Sequence, residues 1–151
     1  MPKATKQELE AMEVADRLRP ILLHLGRELR RERIADVSPH QVTLLVSIKY
    51  ARGVTVGELA ADERVSTAAM SKRVSRLERD GLVARTPSEV DRRRVGLTLT
   101  EEGQRVLRRV RSRRTAWLAS RLATLSRDEL AAVGAAAGPL ARLLEAEEGR
   151  V

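Results

Sequence analysis

The chain is expected to fold mainly as α-helices with one small β-hairpin. Three observations point there. Apolar residues recur at three- and four-residue steps through most of its 151 residues, which is the helical period. Capping signals mark where those runs begin, at Ser38-Pro39-His40-Gln41, Thr55-Val56-Gly57-Glu58 and Ser126-Arg127-Asp128-Glu129. The helical period gives way to apolar–polar alternation only across residues 82–86 and 95–99, as in a pair of short strands.

Taken in order, residues from about 5 to 34 read as one long helix, with Leu18, Leu22, Leu25 and Leu29 on one stripe and Ile21 widening it. Pro20 has no amide hydrogen to return to residue 16, so a bend is expected there. A second helix opens with a Ser38 cap, Pro39 in the first position and Gln41 three residues after the cap. It runs to about Ala51 on Val42, Leu44, Leu45 and Ile48, and Arg52-Gly53 ends it. A short third helix covers Val56 to about Asp62. After the turn Glu63-Arg64-Val65, Ser66 caps a fourth helix that reaches Asp80, where Gly81 suits the left-handed position beyond a helix end. Two helices joined by so short a turn, the second longer and basic, form a helix-turn-helix pattern. The two strands follow, separated by an Arg-rich tip, and the hairpin makes this a winged helix-turn-helix. Thr100-Glu101-Glu102 opens a fifth helix and sets acids on its positive end. Its apolar side is Val106, Val110, Trp117, Leu118 and Leu122, and it extends to about Leu125. The last helix carries Leu130, Val133, Ala137, Leu140 and Leu144 as a coiled-coil-like seam. Gly134, Gly138 and Pro139 predict a kink or break near Pro139.

Composition narrows the function. The chain is long enough for one domain with a modest core. With 29 Lys and Arg against 21 Asp and Glu, its net charge is +8, which favours a polyanionic partner. One Trp, one Tyr and no Phe leave little platform for stacking unpaired bases, so duplex DNA suits better than single strands or RNA. There is no Cys, which excludes disulfides and thiolate metal sites. Near the N-terminus Lys3, Lys6, Glu8 and Glu10 argue against a signal peptide. No apolar run approaches the roughly 20 residues that span a bilayer. The expected compartment is therefore the cytoplasm, with no membrane partner. His24 and His40 fall on different helices and no nucleophile–base pair is evident, so no enzyme activity, metal or cofactor is expected.

Candidate binding residues lie on the fourth helix and the hairpin. At about 100° per residue, Met70, Val74 and Leu77 share one buried stripe, while Lys72, Ser75 and Arg79 lie opposite and Ala68, Ala69 and Arg76 flank them. The expected major-groove surface is Ser66, Thr67, Ala68, Ala69, Ser71, Lys72, Ser75 and Arg76, small near the helix start and cationic beyond it. Asp91, Arg92, Arg93 and Arg94 form the wing tip. Asp91 and Arg93 are two apart and share a face, so the carboxylate can hold the guanidinium extended. Successive arginines repel one another unless an anion offsets them. Ser38, His40 and Arg73 are expected at the DNA backbone, Arg73 either on a phosphate or beside Glu78. The run Arg105, Arg108, Arg109, Arg111, Arg113 and Arg114 reads as a solvated face pairing with acids such as Glu145 and Glu147, in preference to a second DNA surface. The bland alternative for helix and hairpin alike is an ordinary charged surface.

Residues 54–103 resemble the winged-helix domain of the MarR family of bacterial transcription regulators. The matching stretches are Gly57-Glu58-Leu59-Ala60, Val65-Ser66, Val74-Ser75-Arg76-Leu77-Glu78, Asp80-Gly81-Leu82-Val83, and Asp91-x-Arg93 followed by Leu99-Thr100-Glu101-Glu102-Gly103. The resemblance implies a winged helix-turn-helix domain over residues 38–100, flanked by an N-terminal dimerisation helix over 1–37 and C-terminal dimerisation helices over 101–151. It also implies a homodimer on a pseudo-palindromic operator, residues 66–76 in the major groove, Arg93 in the minor groove and Asp91 orienting it. MarR-like proteins often bind small aromatic acids between the two regions, and Trp117, Tyr50 and several arginines are the candidates here, the effector itself being unreadable. The expected function is a sequence-specific, double-stranded-DNA-binding regulator acting as a repressor. A sequence-indifferent architectural DNA binder and a winged-helix protein-interaction module are the rivals.

Overall fold

The computed structural model describes residues 5–31, 37–87 and 94–148, with side chains to residue 144. Six helices and two strands follow in the order α1 (Lys6–Arg31), α2 (Pro39–Tyr50), α3 (Val56–Asp62), α4 (Thr67–Arg79), β1 (Val83–Pro87), β2 (Val95–Leu99), α5 (Glu101–Leu122) and α6 (Arg127–Glu148). The architecture is mainly helical with a small two-stranded wing, as expected from the sequence. Two compact units divide within α5, residues 1–114 and 115–151.

Local chemistry sets the helix starts. Ser38 Oγ accepts from the Gln41 amide at 3.2 Å, and Gln41 Oε1 accepts from the Ser38 amide at 2.9 Å. Thr55 and Glu58 repeat this reciprocal pair at α3 (3.2 and 2.8 Å), as do Ser126 and Glu129 at α6 (3.3 and 2.8 Å). Each pair satisfies two amides that the helix leaves orphaned. Ser66 caps α4 through the Ala69 amide at 3.2 Å. The α3–α4 turn passes through Arg64 at φ 53°, while α4 stops at Gly81, φ 71°. A left-handed backbone is inexpensive for glycine and unusual for arginine.

The core of the first unit is built from α2, α3, α4, the hairpin and the start of α5. Leu44, Leu45, Ile48, Leu59, Met70, Val74, Leu77, Leu97 and Val106 are its most enclosed side chains. The strands pair antiparallel from Val83 opposite Leu99 to Pro87 opposite Val95, β1 being shifted one residue from the expected span. The other edge of β2 is also occupied, since the Leu97 amide donates to the Val54 carbonyl at 2.8 Å. The link after α2 therefore seats the hairpin. Gly96 faces it, where an added Cβ would stand 2.6 Å from the Gly53 carbonyl oxygen. Thr100 then locks the start of α5: its amide donates to the Leu82 carbonyl at 3.1 Å, its hydroxyl donates to the Gly81 carbonyl at 2.6 Å, and that hydroxyl accepts from the Gly103 amide at 3.0 Å.

Helix α1 runs unbroken through Pro20 and buries none of its residues, and the expected residues 32–34 lie outside the described ones. Two expectations need correction. Of the kink or break expected at Pro139, the break does not occur: α6 continues through it. A proline forfeits one amide bond, and the neighbouring alanines, the strongest helix formers, carry the backbone past it. Helix α5 stops at Leu122 instead of near Leu125, because the Thr124 and Leu125 amides turn back to the carbonyls of Arg121 and Leu122 at 3.1 Å each. In the second unit Leu130, Val133, Leu143 and Leu144 are all exposed.

Candidate nucleic-acid interface

Full burial of Met70, Val74 and Leu77 fixes the rotation of α4 about its own axis. That leaves Ser66, Thr67, Ala68, Lys72, Arg76 and Arg79 exposed, with Ala69, Ser71 and Ser75 half-buried along the margin. The expected recognition surface is thus one contiguous face. No acid lies in the first turn of α4, in contrast to α3, α5 and α6, so its positive end is not internally offset. Among the described residues, Lys72, Arg76 and Arg79 have no carboxylate within ion-pair distance, and their charges are uncommitted.

Arg73 behaves differently from its neighbours. It is half-buried and reaches back to Glu63 at 3.9 Å, across the helix-turn-helix turn. The expected Glu78 is occupied elsewhere, its two oxygens accepting from Arg85 Nε at 3.0 and 3.1 Å. Ser38 and His40 are exposed at the start of α2. There Gln41 also donates to Asp80 at 3.2 Å, joining the α2 start to the end of α4.

Asp91, Arg92 and Arg93 lie outside the described residues. Arg94, the last of the wing set, forms an ion pair with Glu58 of α3. The other Glu58 oxygen accepts from the Thr55 amide at 2.8 Å and from the Thr55 hydroxyl at 3.0 Å. The Thr55 backbone bond, then its side-chain bond, then Arg94 hold the Glu58 carboxyl below its ordinary range. Sequence reasoning placed Glu58 in a cap and missed its second partner, and it missed Arg85 altogether. Strand alternation gave no signal for Arg85, which stands two residues from buried Val83 and opposite buried Leu97.

Two arginines of the α5 run pair with acids of its own first turn. Arg105 meets Glu101 at 3.2 Å and also Glu102, and Arg109 meets Glu102 at 3.0 Å. These acids lie three to seven residues away, and the side chains of the expected Glu145 and Glu147 lie outside the described residues. Burial, and then the nearby Arg30, lower the pKa of Arg114. Its Nε is enclosed without a partner among the described residues. Tyr50 is exposed beneath Lys49 (5.6 Å), and Trp117 packs under the Arg121 guanidinium (4.4 Å). His24 and His40 are both exposed, and no cluster of metal-binding side chains occurs among the described residues. No described helix is long and apolar enough to cross a membrane.

The sequence pattern of the MarR family matches residues 37–95. An uncharacterised HTH-type transcriptional regulator of Mycobacterium bovis, Mb0904, is 36% identical over 109 residues, covering 72% of this chain and 76% of that protein. The chain belongs to the MarR family. As a MarR-family protein it is a DNA-binding transcriptional regulator, and its hairpin is the family's wing. A second relative is the HTH-type transcriptional repressor MdtR of Bacillus subtilis, 33% identical over 112 residues and covering 74% of this chain and 72% of the relative. Among solved structures, Streptococcus pneumoniae FabT in complex with DNA aligns with a TM-score of 0.53 at 25% identity, covering 93% of this MarR-family chain and 98% of that one.

Proposed function

We propose that this chain is a sequence-specific repressor that binds a pseudo-palindromic, double-stranded operator as a homodimer in the cytoplasm. The observation that carries the reading is the face of α4, where Thr67, Ala68, Lys72 and Arg76 stand exposed with both cations uncommitted. Small side chains at the helix start let the backbone approach base edges, and Lys72 and Arg76 reach guanine or phosphate. Ala69, Ser71 and Ser75 border this contact, and Ser66 presents its hydroxyl at the rim. In the wing, Arg93 enters the minor groove with Asp91 orienting it, while Arg92 adds charge. Ser38 and His40 lie near the DNA backbone. FabT has been solved with DNA and MdtR is named a repressor, which supports carrying both roles across.

Dimerisation follows from the apolar surface left over. Ile21, Leu22, Leu23 and Leu25 of α1 are exposed, as are Leu130, Val133, Leu143 and Leu144 in the second unit. Residues 1–37 and 101–151 would pair the subunits and residues 38–100 would read DNA. Two α4 helices would then meet one duplex face about 34 Å apart.

Selection of bound genomic fragments, followed by gel-shift titration against random duplex, tests the reading. A preference of about 10³ or more is expected, with Lys72→Ala and Arg93→Ala each weakening it. Equal affinity for random duplex would favour the architectural rival. Absence of duplex binding would favour the protein-interaction module.

A further inference from the structure

We propose that Arg94 is a positioning residue, clasping the trailing arm of the wing to α3 through Glu58 instead of gripping DNA phosphate. This rests on the regulator reading above and changes the role of one member of the Arg92–Arg94 cluster. Three observations carry it. Glu58 is immobilised before Arg94 arrives, because one oxygen is held by the amide and hydroxyl of Thr55, leaving the other as a fixed acceptor for the guanidinium. The leading arm is tied in the same manner, Arg85 gripping both oxygens of Glu78 on α4. The hairpin is therefore fastened to each helix of the helix-turn-helix, one arm to each. Between these ties, the Leu97–Val54 backbone bond anchors β2 itself.

Uncommitted and committed cations thus divide cleanly. Lys72, Arg76 and Arg79 have no carboxylate within ion-pair distance among the described residues, whereas Arg85 and Arg94 each carry one. A guanidinium already neutralised by a carboxylate releases few counterions when DNA arrives. Its contribution is to order the arm beforehand, so that less conformational entropy is lost on docking.

The test compares Glu58→Gln, Arg94→Ala and the double variant in operator titrations over a series of salt concentrations. Glutamine is an accepted capping-box residue, so Glu58→Gln removes the ion pair while leaving the α3 start intact. Either single change should weaken operator binding about three- to tenfold, the scale of a surface ion pair lost from two wings. The double variant should lose no more than the worse single one. The salt dependence of binding should keep its slope, and the thermal midpoint should stay within about 2 °C. Without DNA, amide exchange across Val95–Leu99 should quicken in both single variants. Tighter binding by Glu58→Gln would overturn the proposal, because it would mean Glu58 competes with phosphate for Arg94. A salt slope reduced by about one per wing in Arg94→Ala would overturn it too, as the mark of a phosphate contact, and so would unchanged exchange in β2. A wild-type protein indifferent to operator sequence would sink the regulator reading alone, with the exchange rates still deciding the clasp.

Discussion

Gly103 shows how tightly single residues are constrained. A Cβ added there would collide with the Leu82 carbonyl oxygen, the same oxygen that accepts the Thr100 amide. Gly103→Ala should lower unfolding free energy by about 1–3 kcal/mol, the usual cost of overpacking, measured by urea denaturation. Removing bulk acts through cavities instead. Leu97 is fully enclosed, and Leu97→Ala should cost about 2–5 kcal/mol. Adjacent cations on α4 should also part company. Lys72→Ala should reduce the salt slope of operator binding by about one per subunit. Arg73→Ala should leave that slope nearly unchanged, since Arg73 is already held by Glu63. Equal slopes for the two variants would remove Lys72 from the contact surface.

At the level of elements, caps supply much of the order, and they respond to acid. The carboxyls of Glu58 and Glu129 are held below their ordinary value near 4.5 by hydrogen bonds at their helix starts, from Thr55 and Ser126 respectively. A depressed folded value means that each contributes stability above the ordinary carboxylate range. That contribution fades as pH falls from about 4.5 through the lower folded value. Glu129→Gln should therefore flatten the acid limb of the helicity-versus-pH curve, read by circular dichroism. At neutral pH, Ser66→Ala should cost about 1 kcal/mol by uncapping α4. Such caps explain why helix starts were legible in sequence: a cap and its partner sit three residues apart, so α2, α3 and α4 begin as Ser38, Thr55 and Ser66 predict. Buried stripes were legible because Met70, Val74 and Leu77 follow one local period. Pairings across the fold were not. Nothing local joins Arg94 to a carboxylate 36 residues earlier, or directs Arg73 to Glu63 in preference to Glu78. Pro139 does not break α6, since the helix around it outweighs a single-residue rule.

For the whole molecule, the decisive feature is how much of the apolar surface of α1 stands exposed among the described residues. Met12 is 64% exposed and Ile21 54%, and twenty-six residues of helix contribute nothing to the enclosed core. Sedimentation equilibrium should accordingly return twice the 16.8 kDa chain mass. Ile21→Asp with Leu22→Asp should return a single chain mass and greatly weaken operator binding. A wild-type sample sedimenting as one chain would refute the paired assembly. Most helical stability in proteins comes from packing of the apolar face, so much of the order of α1 should be borrowed from encounter with a second molecule. Mass action then enters: dilution alone should melt this flank, and the midpoint of heat unfolding should climb as the sample is concentrated.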